Sequence, residues 1–432
     1  MNKKKIVILG AGLAGLSTAW HLQKKGVTAP VFEREAEAGG LCRSKNVGGF
    51  TFDYDGHLLH FRHHYTFRLV KNLLGNNLSE HTRNAWVFSH NAFIPYPFQA
   101  NLYGLPKKVI KECLAGFLRA QRDGKAAREK DQTFLDWIHA TFGSGIARHF
   151  MVPYNTKFWN LPLRELTCAW LDGFVPVPTA RQIVEGAMKQ NRWHFGYNAK
   201  FWYPAQGGIQ SLARALEAQV KKVHTGCTVR EINLARKELT FARGGKERYD
   251  ILVSTIPLPD LPYIIKDLPL SVRPLFKALR WNSIFNLNLG IRKKPASQRH
   301  WIYFPEKDFC FFRTGYFSSF SSSLMPPATT SLYAEVSYLK KRPVDKNALT
   351  TRIKKDLLRA GLLGSQDVIC AEDVNDIPYA YPLYDQNHRS STEKIIGFLK
   401  GNDIIACGRF GSWRYMSMED VLLEGREVAL RM

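Results

Sequence analysis

Three glycines near the amino terminus have the spacing of a phosphate-binding turn. They form the pattern G-x-G-x-x-G with Gly10, Gly12 and Gly15. The apolar residues 6–9 predict a buried parallel strand before the turn, and residues 13–25 predict a helix after it. The first glycine permits the tight turn, the second lets a pyrophosphate approach the backbone, and the third lets the helix pack on the strand. The first amides of the helix, at Leu13 and Ala14, would then bind phosphate.

An acidic residue ends the next predicted strand, residues 29–32. Glu33 follows that strand and lies 23 residues beyond Gly10, with Arg34 beside it. A carboxylate at this place accepts hydrogen bonds from an adenosine ribose. Strand, glycine turn, helix, strand and acid in this order predict a dinucleotide site.

A second pair of glycines, at positions 39 and 40, comes shortly after this unit. Such a pair lets the backbone at Gly40 and Leu41 pass close to a bound cofactor, and Arg43 can face phosphate or a flavin ring. An ordinary turn is the alternative interpretation. The two glycine motifs together favour a flavin-binding chain over a simple nicotinamide dehydrogenase.

Four histidines lie close together in the sequence: His57, His60, His63 and His64. A metal site is one interpretation, but no acidic or cysteine cluster accompanies them. Histidines satisfied by backbone carbonyls are a second interpretation. The third is that a histidine lines the flavin.

The last predicted helix begins at Met418, after a capping box formed by Ser417 and Asp420. If its amino terminus points at the pyrimidine part of a flavin, its free amides would stabilise the reduced anionic ring by up to about 2 kcal/mol. A capped helix without cofactor contact is the alternative. Arg409, which follows Gly408, would hold the cofactor pyrophosphate.

The chain of 432 residues has a formal net charge of +24. This excess predicts a polyanionic partner: a diphosphate-bearing substrate, an anionic membrane face or nucleic acid. Nucleic acid is disfavoured because the basic residues are scattered and no nucleic-acid module is recognisable. Seven cysteines without a C-x-x-C pair predict a reducing, cytoplasmic location. We therefore expect a cytoplasmic protein, soluble or peripheral on the cytoplasmic face of a membrane, and leave a homo-oligomer open.

Several segments resemble the FAD superfamily with two dinucleotide-binding domains, to which amine oxidases, desaturases and protoporphyrinogen oxidase belong. More narrowly, residues 56–60, 153–159 and 408–418 are similar to signatures of the UDP-galactopyranose mutase family. The resemblance implies an α/β fold with a discontinuous Rossmann-type FAD domain, a helical insertion and a mixed-sheet substrate domain. We expect the FAD domain in 1–90, 203–280 and 395–432, the mainly helical substrate domain in 91–202, and the mixed sheet in 281–394. Strand-like runs at 283–291, 301–304, 310–315 and 331–338 predict this sheet.

The resemblance also implies roles for individual residues. The expected cofactor-binding residues are Gly10, Gly12, Leu13, Ala14, Gly15, Glu33, Arg34, Gly40, Leu41, Arg43, His57, His60, Val229, Gly408, Arg409 and Met418. The expected catalytic residues are His60, Arg313, Tyr381 and Tyr415. The expected substrate-binding residues are Gln99, Trp159, Arg181 and Arg313, and no metal is expected.

Three positions depart from the mutase pattern. Gln99 stands where the family has asparagine, and Ser417 stands where it has an acid. In the loop 173–178, Pro178 occupies the position of the family's diphosphate-binding arginine, for which Arg181 could substitute. The last departure weakens the case for a nucleotide substrate.

Three classes of function follow. The first is a mutase that interconverts pyranose and furanose forms of a nucleotide-diphosphate sugar. In that family N5 of reduced FAD attacks the anomeric carbon. The second is an FAD-dependent oxidoreductase, similar to desaturases or protoporphyrinogen oxidase, that acts on a lipophilic substrate at a membrane surface. The third is a flavoprotein scaffold without activity, against which the intact glycine turns argue.

Overall fold

The computed structural model describes residues 4–123, 133–171, 174–190, 199–295 and 297–432. The strands, in chain order, are β1 Ile6–Leu9, β2 Val31–Phe32, β3 Ser44–Val47, β4 Phe50–Asp53, β5 Leu78–Thr82, β6 Ala85–Ser89, β7 Ala92–Pro95, β8 Lys200–Pro204, β9 Val223–His224, β10 Val229–Asn233, β11 Glu238–Phe241, β12 Lys246–Arg248, β13 Ile251–Ser254, β14 Trp281–Ile291, β15 Trp301–Tyr303, β16 Arg313–Gly315, β17 Thr330–Tyr338, β18 Ile369–Pro382 and β19 Ile404–Ala406.

The helices, in chain order, are α1 Leu13–Lys24, α2 His64–Leu74, α3 Lys107–Asp123, α4 Phe134–Ile146, α5 Val152–Trp159, α6 Ala180–Met188, α7 Gln210–Glu217, α8 Leu261–Ile264, α9 Arg273–Lys277, α10 Lys346–Arg359, α11 His388–Gly401, α12 Gly408–Gly411 and α13 Met418–Leu430.

A five-stranded parallel sheet carries the glycine turn. Its strand order is β19-β13-β1-β2-β9, so strands from both ends and the middle of the chain build it. All four residues of β1 are buried, as an apolar strand covered on both faces must be. Helix α1 packs against α13. The discontinuous Rossmann-type α/β fold is confirmed.

A seven-stranded sheet has the order β18-β14-β17-β16-β15-β6-β7. It is mixed, because β15 and β6 run parallel whereas β14 pairs antiparallel with both β17 and β18. The sheet contains each strand-like run between residues 281 and 338 that the sequence predicts. It also contains β6 and β7, which the predicted boundary at residue 90 assigns to two other domains.

The third part is a layer of helices, α3 to α6, around its own core. The core includes Phe117, Phe134, Phe142, Ile146 and Trp159, all fully buried. Strand β8, at the end of the predicted helical segment 91–202, pairs with β5 of the segment before it. The three-domain division therefore stays a prediction, and strand pairing crosses two of its boundaries. Of the helices in the described ranges, none has the length and apolar character to cross a membrane.

Candidate active site

One cavity of about 1000 Å³ lies where the two sheets and the helical layer meet. One end is formed by the turn after β1 and by the ends of the neighbouring parallel strands, as expected for a ligand site of an open parallel sheet. The other end is lined by aromatic side chains of the mixed sheet and of the helical layer. This shape can hold a long cofactor with a substrate beyond it.

The three glycines of the first turn have different neighbours. Gly10 has φ of +94°, and a Cβ there would lie 2.1 Å from Thr255 Oγ1. A Cβ at Gly15 would lie 2.0 Å from the Gly10 carbonyl oxygen. At Gly12, φ is −72° and the nearest atom to an added Cβ is the Gly40 Cα at 4.0 Å. The fold itself therefore requires Gly10 and Gly15, whereas Gly12 leaves room in the cavity for a ligand.

The carboxylate of Glu33 lies at the end of β2 on the cavity wall. It accepts hydrogen bonds from the amides of Ala11, at 2.7 Å, and Glu35, at 3.0 Å. These bonds fix the carboxylate beside the glycine turn. Arg34 also lines the cavity, with an exposed guanidinium 3.1 Å from Glu35.

The second glycine pair packs against the first turn. Gly12 and Gly39 form a parallel bridge. Arg43 donates from Nε to the Gly40 carbonyl at 2.9 Å, and its guanidinium lies over the Tyr54 ring at 4.8 Å. This arrangement brings the predicted cofactor residues Leu13, Ala14, Gly40, Leu41, Arg43 and Val229 to the same cavity.

Two of the four histidines, His57 and His60, line the cavity. His57 Nδ1 lies 3.3 Å from the Asp55 carbonyl, and His60 Nδ1 lies 3.3 Å from the Lys200 carbonyl. Burial lowers the pKa of both, for His60 to about 4, so both rings are neutral at pH 7. These histidines therefore face backbone carbonyls, as the second interpretation expects, and they also line the cavity. Contact of a histidine with the flavin stays a prediction. Among the residues with described positions, no cluster of histidines, cysteines or acids could hold a metal ion.

The amino terminus of α13 reaches the cavity through Ser417 and Met418. The predicted capping box is confirmed, because Ser417 Oγ accepts from the Asp420 amide and Asp420 accepts from the Ser417 amide at 2.8 Å. The remaining amides of the first turn add the positive end of the helix dipole to the cavity wall.

Glu419 is a feature that the sequence pattern did not single out. This buried carboxylate accepts from the amides of Arg62 and His63, both at 2.9 Å, and from the Thr66 hydroxyl. His63 is the N-cap residue of α2, and its own side chain accepts no hydrogen bond from the first amides of that helix. Glu419 thus caps α2 from another helix and fixes α13 beside the segment that carries His60. The acid in the first turn of α13 was the only signal for it.

Arg409 lies between the cofactor end and the aromatic end. It donates to the carbonyls of Met416, at 2.9 Å, and Ala380, at 2.7 Å, while its buried Nε has no partner among the described residues. Its guanidinium lies over the rings of Tyr381 and Tyr415, at 4.6 and 4.9 Å. Because these partners are neutral carbonyls and not carboxylates, the positive charge of Arg409 is not offset, and the side chain can attract an anion. Gly408 brings this segment close to α1.

Tyr381 and Tyr415 stack with their ring centroids 5.5 Å apart. Burial raises the pKa of both phenols, which keeps them protonated and able to donate hydrogen bonds. Further tyrosines line the same end, and sequence reasoning missed them: Tyr96, Tyr154, Tyr303 and Tyr333. Strand alternation could have indicated Tyr303, which is opposite Arg313 in the β15–β16 pairing.

Arg313 lines the aromatic end but has a buried partner. It donates from Nε and an Nη to the two carboxylate oxygens of Glu335, at 2.5 and 2.7 Å, and lies 3.6 Å from Asp55. Glu335 is fully buried and directly opposite Arg313 in the β16–β17 pairing. The two carboxylates therefore offset the positive charge that the sequence analysis assigned to a substrate diphosphate.

The other predicted substrate residues differ in position. Gln99 lines the cavity, with Nε2 donating to the Pro176 carbonyl at 2.7 Å and Oε1 buried without a partner in the described part of the chain. Trp159 lies in the core of the helical layer, against Trp170 and Phe158, because α5 turns it away from the cavity.

Arg181 lies on the outer face of α6, where its exposed side chain pairs with Glu185 at 2.7 Å. Its position therefore does not support it as a substitute for the arginine missing at Pro178. Pro178 is buried, and residue 173, the first of the predicted loop, lies outside the described residues.

Comparison with known proteins agrees with this geometry. The family described as flavin containing amine oxidoreductase matches residues 13–374. The chain belongs to this family.

Relatives within and around the family differ in activity. A solved structure of a reduced UDP-galactopyranose mutase superposes with a TM-score of 0.93 at 28% identity, covering 99% of this chain and 95% of that one. A 4,4'-diaponeurosporene oxygenase of Staphylococcus aureus (strain MW2) is 22% identical over 92% of this chain and 88% of its own length. A 1-hydroxycarotenoid 3,4-desaturase of Flavobacterium sp. (strain P99-3) is 46% identical over 50 residues, so the chain spans only 10% of that relative.

As a member of the flavin containing amine oxidoreductase family, this protein has FAD as its cofactor. The residues present fit it. Gly12 leaves free space at the first amides of α1, where a pyrophosphate would lie, and the Glu33 carboxylate is held beside that space.

Proposed function

We propose that this protein is a flavin-dependent mutase that interconverts the pyranose and furanose forms of a nucleotide-diphosphate sugar, with FAD in its reduced form. One observation carries the proposal: His60, Arg313, Tyr381 and Tyr415 line the cavity that also contains the glycine turns. The full-length similarity to a reduced UDP-galactopyranose mutase supports it.

Bound reduced FAD would supply the nucleophilic nitrogen for the anomeric carbon. The protein's share is to bind, orient and stabilise charge. The first amides of α13 would stabilise negative charge on the pyrimidine side of the ring system. Neutral His60 would contact the flavin without adding a second charge.

The leaving diphosphate would be bound mainly by hydrogen bonds, and less by the charge of unpaired basic side chains. The protonated phenols of Tyr381 and Tyr415 would donate to it. Arg409, which the sequence assigned to the cofactor pyrophosphate, lies beneath these two rings and would instead contribute the net positive charge here. Arg313 would donate through its remaining N–H groups, with its charge offset by Glu335. Diphosphate binding should therefore be weaker than at a site with unpaired arginines.

A second candidate is an FAD-dependent oxidoreductase that acts on a lipophilic substrate. The aromatic end of the cavity, the neutralised Arg313 and the buried Pro178 favour it, since none of them adds net positive charge. The similarity to carotenoid-modifying proteins also favours it.

The two candidates differ in whether electrons leave the enzyme. Dithionite-reduced protein is incubated with a panel of nucleotide sugars, and furanose products are separated by chromatography. The mutase predicts product only with reduced enzyme and no net consumption of oxidant. If no nucleotide sugar is converted while a polyene or porphyrinogen is oxidised with reduction of oxygen or a quinone, the oxidoreductase is correct.

A pair of variants links the activity to this cavity. Tyr381→Phe removes one phenol of the stacked pair, and Tyr338→Phe removes a phenol outside the cavity that binds Asp376. Loss of one charge-assisted hydrogen bond should lower kcat/KM for the mutase reaction roughly tenfold to hundredfold in Tyr381→Phe only. Equal losses in both variants would contradict the assignment.

A further inference from the structure

Exposed apolar side chains are concentrated on the helical layer. Five of the eleven large apolar side chains that are exposed in the described residues lie in two short stretches, 103–123 and 177–190. They are Tyr103, Leu118, Val177, Val184 and Met188, of which Met188 is 74% exposed. Single exposed apolar residues are ordinary on protein surfaces, but a local concentration marks an interaction site.

The positions of these residues follow the helix period. On α6, Val184 and Met188 share one stripe, while Ile183 and Gly186 are buried on the opposite side. On α3, Leu118 lies in an exposed stripe that begins at Lys107 and continues through positions 111, 115 and 122. We call these residues and the cations around them the outer helical patch.

The two helices are neighbours in the fold. The amides of Leu102 and Tyr103, just before α3, both donate to the Gly186 carbonyl of α6, at 2.9 and 2.8 Å. Helix α3 also packs against α6. The exposed stripes of α3 and α6 therefore lie on neighbouring helices, with Tyr103 at the junction between them.

This patch is strongly basic. The stretches 103–123 and 177–190 contain seven lysines and arginines against three carboxylates. Each carboxylate pairs with a nearby cation, namely Glu112 with Arg148, Asp123 with Arg122, and Glu185 with Arg181. The remaining cations form no ion pair with any residue in the described ranges: Lys107, Lys108, Lys111, Arg119 and Lys189.

The patch also adjoins the cavity. Phe174 and Val175 line the cavity wall, and the Pro176 carbonyl is held by Gln99. The chain then passes to exposed Val177 and enters α6 at the Thr179 cap. A molecule bound on the outer helical patch would lie a few residues from the substrate end of the cavity.

We propose that the outer helical patch docks this protein on an anionic lipid bilayer. Apolar side chains flanked by unpaired cations match the headgroup and acyl boundary of such a membrane. The proposal does not depend on which reaction the cavity supports.

The experiment is cosedimentation of FAD-loaded protein with vesicles, without turnover. Phosphatidylcholine vesicles that contain phosphatidylglycerol are compared with pure phosphatidylcholine vesicles, at low and high salt. The proposal predicts binding to the anionic vesicles that falls with salt. Absence of binding, or equal binding to both kinds of vesicle, would overturn it.

Paired variants locate the binding surface. The double variant Val184→Glu/Met188→Glu should weaken the affinity for anionic vesicles by more than about tenfold. The double variant Lys107→Gln/Lys111→Gln should weaken the same affinity roughly fivefold for each lysine removed. Leu270→Glu and Lys221→Gln/Lys222→Gln, which change exposed residues elsewhere, should bind like the unchanged protein. Each variant is first checked for unchanged FAD content. Unchanged vesicle binding in Val184→Glu/Met188→Glu refutes the proposal, and so does an effect on oligomeric state alone, which would assign the patch to a second copy.

Discussion

Gly12→Val should weaken FAD binding without lowering the stability of the apoprotein. The backbone at residue 12 has φ of −72° and ψ of 176°, which a β-branched residue adopts freely. An added Cβ meets only the Gly40 Cα, at 4.0 Å. The side chain would therefore extend into the space beside the first amides of α1. The variant should fold but exclude the FAD pyrophosphate.

The size of the effect follows from the contacts that the valine would block. Loss of one charge-assisted hydrogen bond costs about 1.5–3 kcal/mol, and loss of the helix dipole interaction costs up to about 2 kcal/mol. Together these losses amount to about 1.5–5 kcal/mol, or roughly a 10- to 4000-fold weaker affinity for FAD. The free energy of unfolding of the apoprotein should change by less than about 1 kcal/mol.

The assay is titration of apoprotein with FAD, followed by quenching of flavin fluorescence, together with urea unfolding of the apoprotein. Gly15→Ala is the contrasting variant, because its Cβ would lie 2.0 Å from the Gly10 carbonyl and should destabilise the apoprotein by about 1–3 kcal/mol or more. Gly397→Val, on the exposed side of α11 with no atom within 4 Å, is the control. Normal FAD affinity in Gly12→Val, or apoprotein as unstable as Gly15→Ala, would refute the reasoning.

Three further predictions test the cavity walls. Glu335→Gln should lower the free energy of unfolding by about 1.5–3 kcal/mol, because it removes a charged hydrogen-bond partner of Arg313 and leaves only Asp55, at 3.6 Å, as its carboxylate. A loss below about 1 kcal/mol in urea unfolding, on the order of a surface change, would contradict the pairing. Trp159→Phe should lower the free energy of unfolding but leave KM unchanged, because the indole lies in the core of the helical layer. If steady-state kinetics show a changed KM and stability is unchanged, Trp159 contacts the substrate after all. Burial raises the pKa of Asp53 to about 6, above its unfolded value of 3.8, so the folded state binds the extra proton. Stability relative to Asp53→Asn should therefore fall by up to about 3 kcal/mol as the pH rises from 4 to 6.5, and an opposite slope in unfolding titrations would refute this sign.

The cofactor end was largely predictable because its rules are local. A strand, a glycine turn and a helix follow one another within 25 residues, and the φ of +94° at Gly10 needs glycine whatever surrounds the turn. The capping box at Ser417 is equally local, since its two partners are three residues apart. The strands of the mixed sheet were also recognisable, as apolar runs of the right length.

The substrate end was not predictable in the same way. The sequence suggested Arg313 as a free cation, but the strand register places Glu335 opposite it, 22 residues away. Both strands were predicted, so a search for opposite charges across them would have indicated the pair. The motif with Trp159 was recognised, yet only helix packing shows that its indole points into the core.

The sequence alone determined that this protein has a dinucleotide-binding fold and a capped last helix, because hydrogen bonds between near neighbours specify those features. Only the tertiary structure decided the charge and reach of the substrate end. Glu419 caps a helix more than 350 residues away, Glu335 neutralises Arg313, and Arg181 lies on the outer face of α6. These relations depend on which distant elements pack together, and residue spacing along the chain carries no record of that packing.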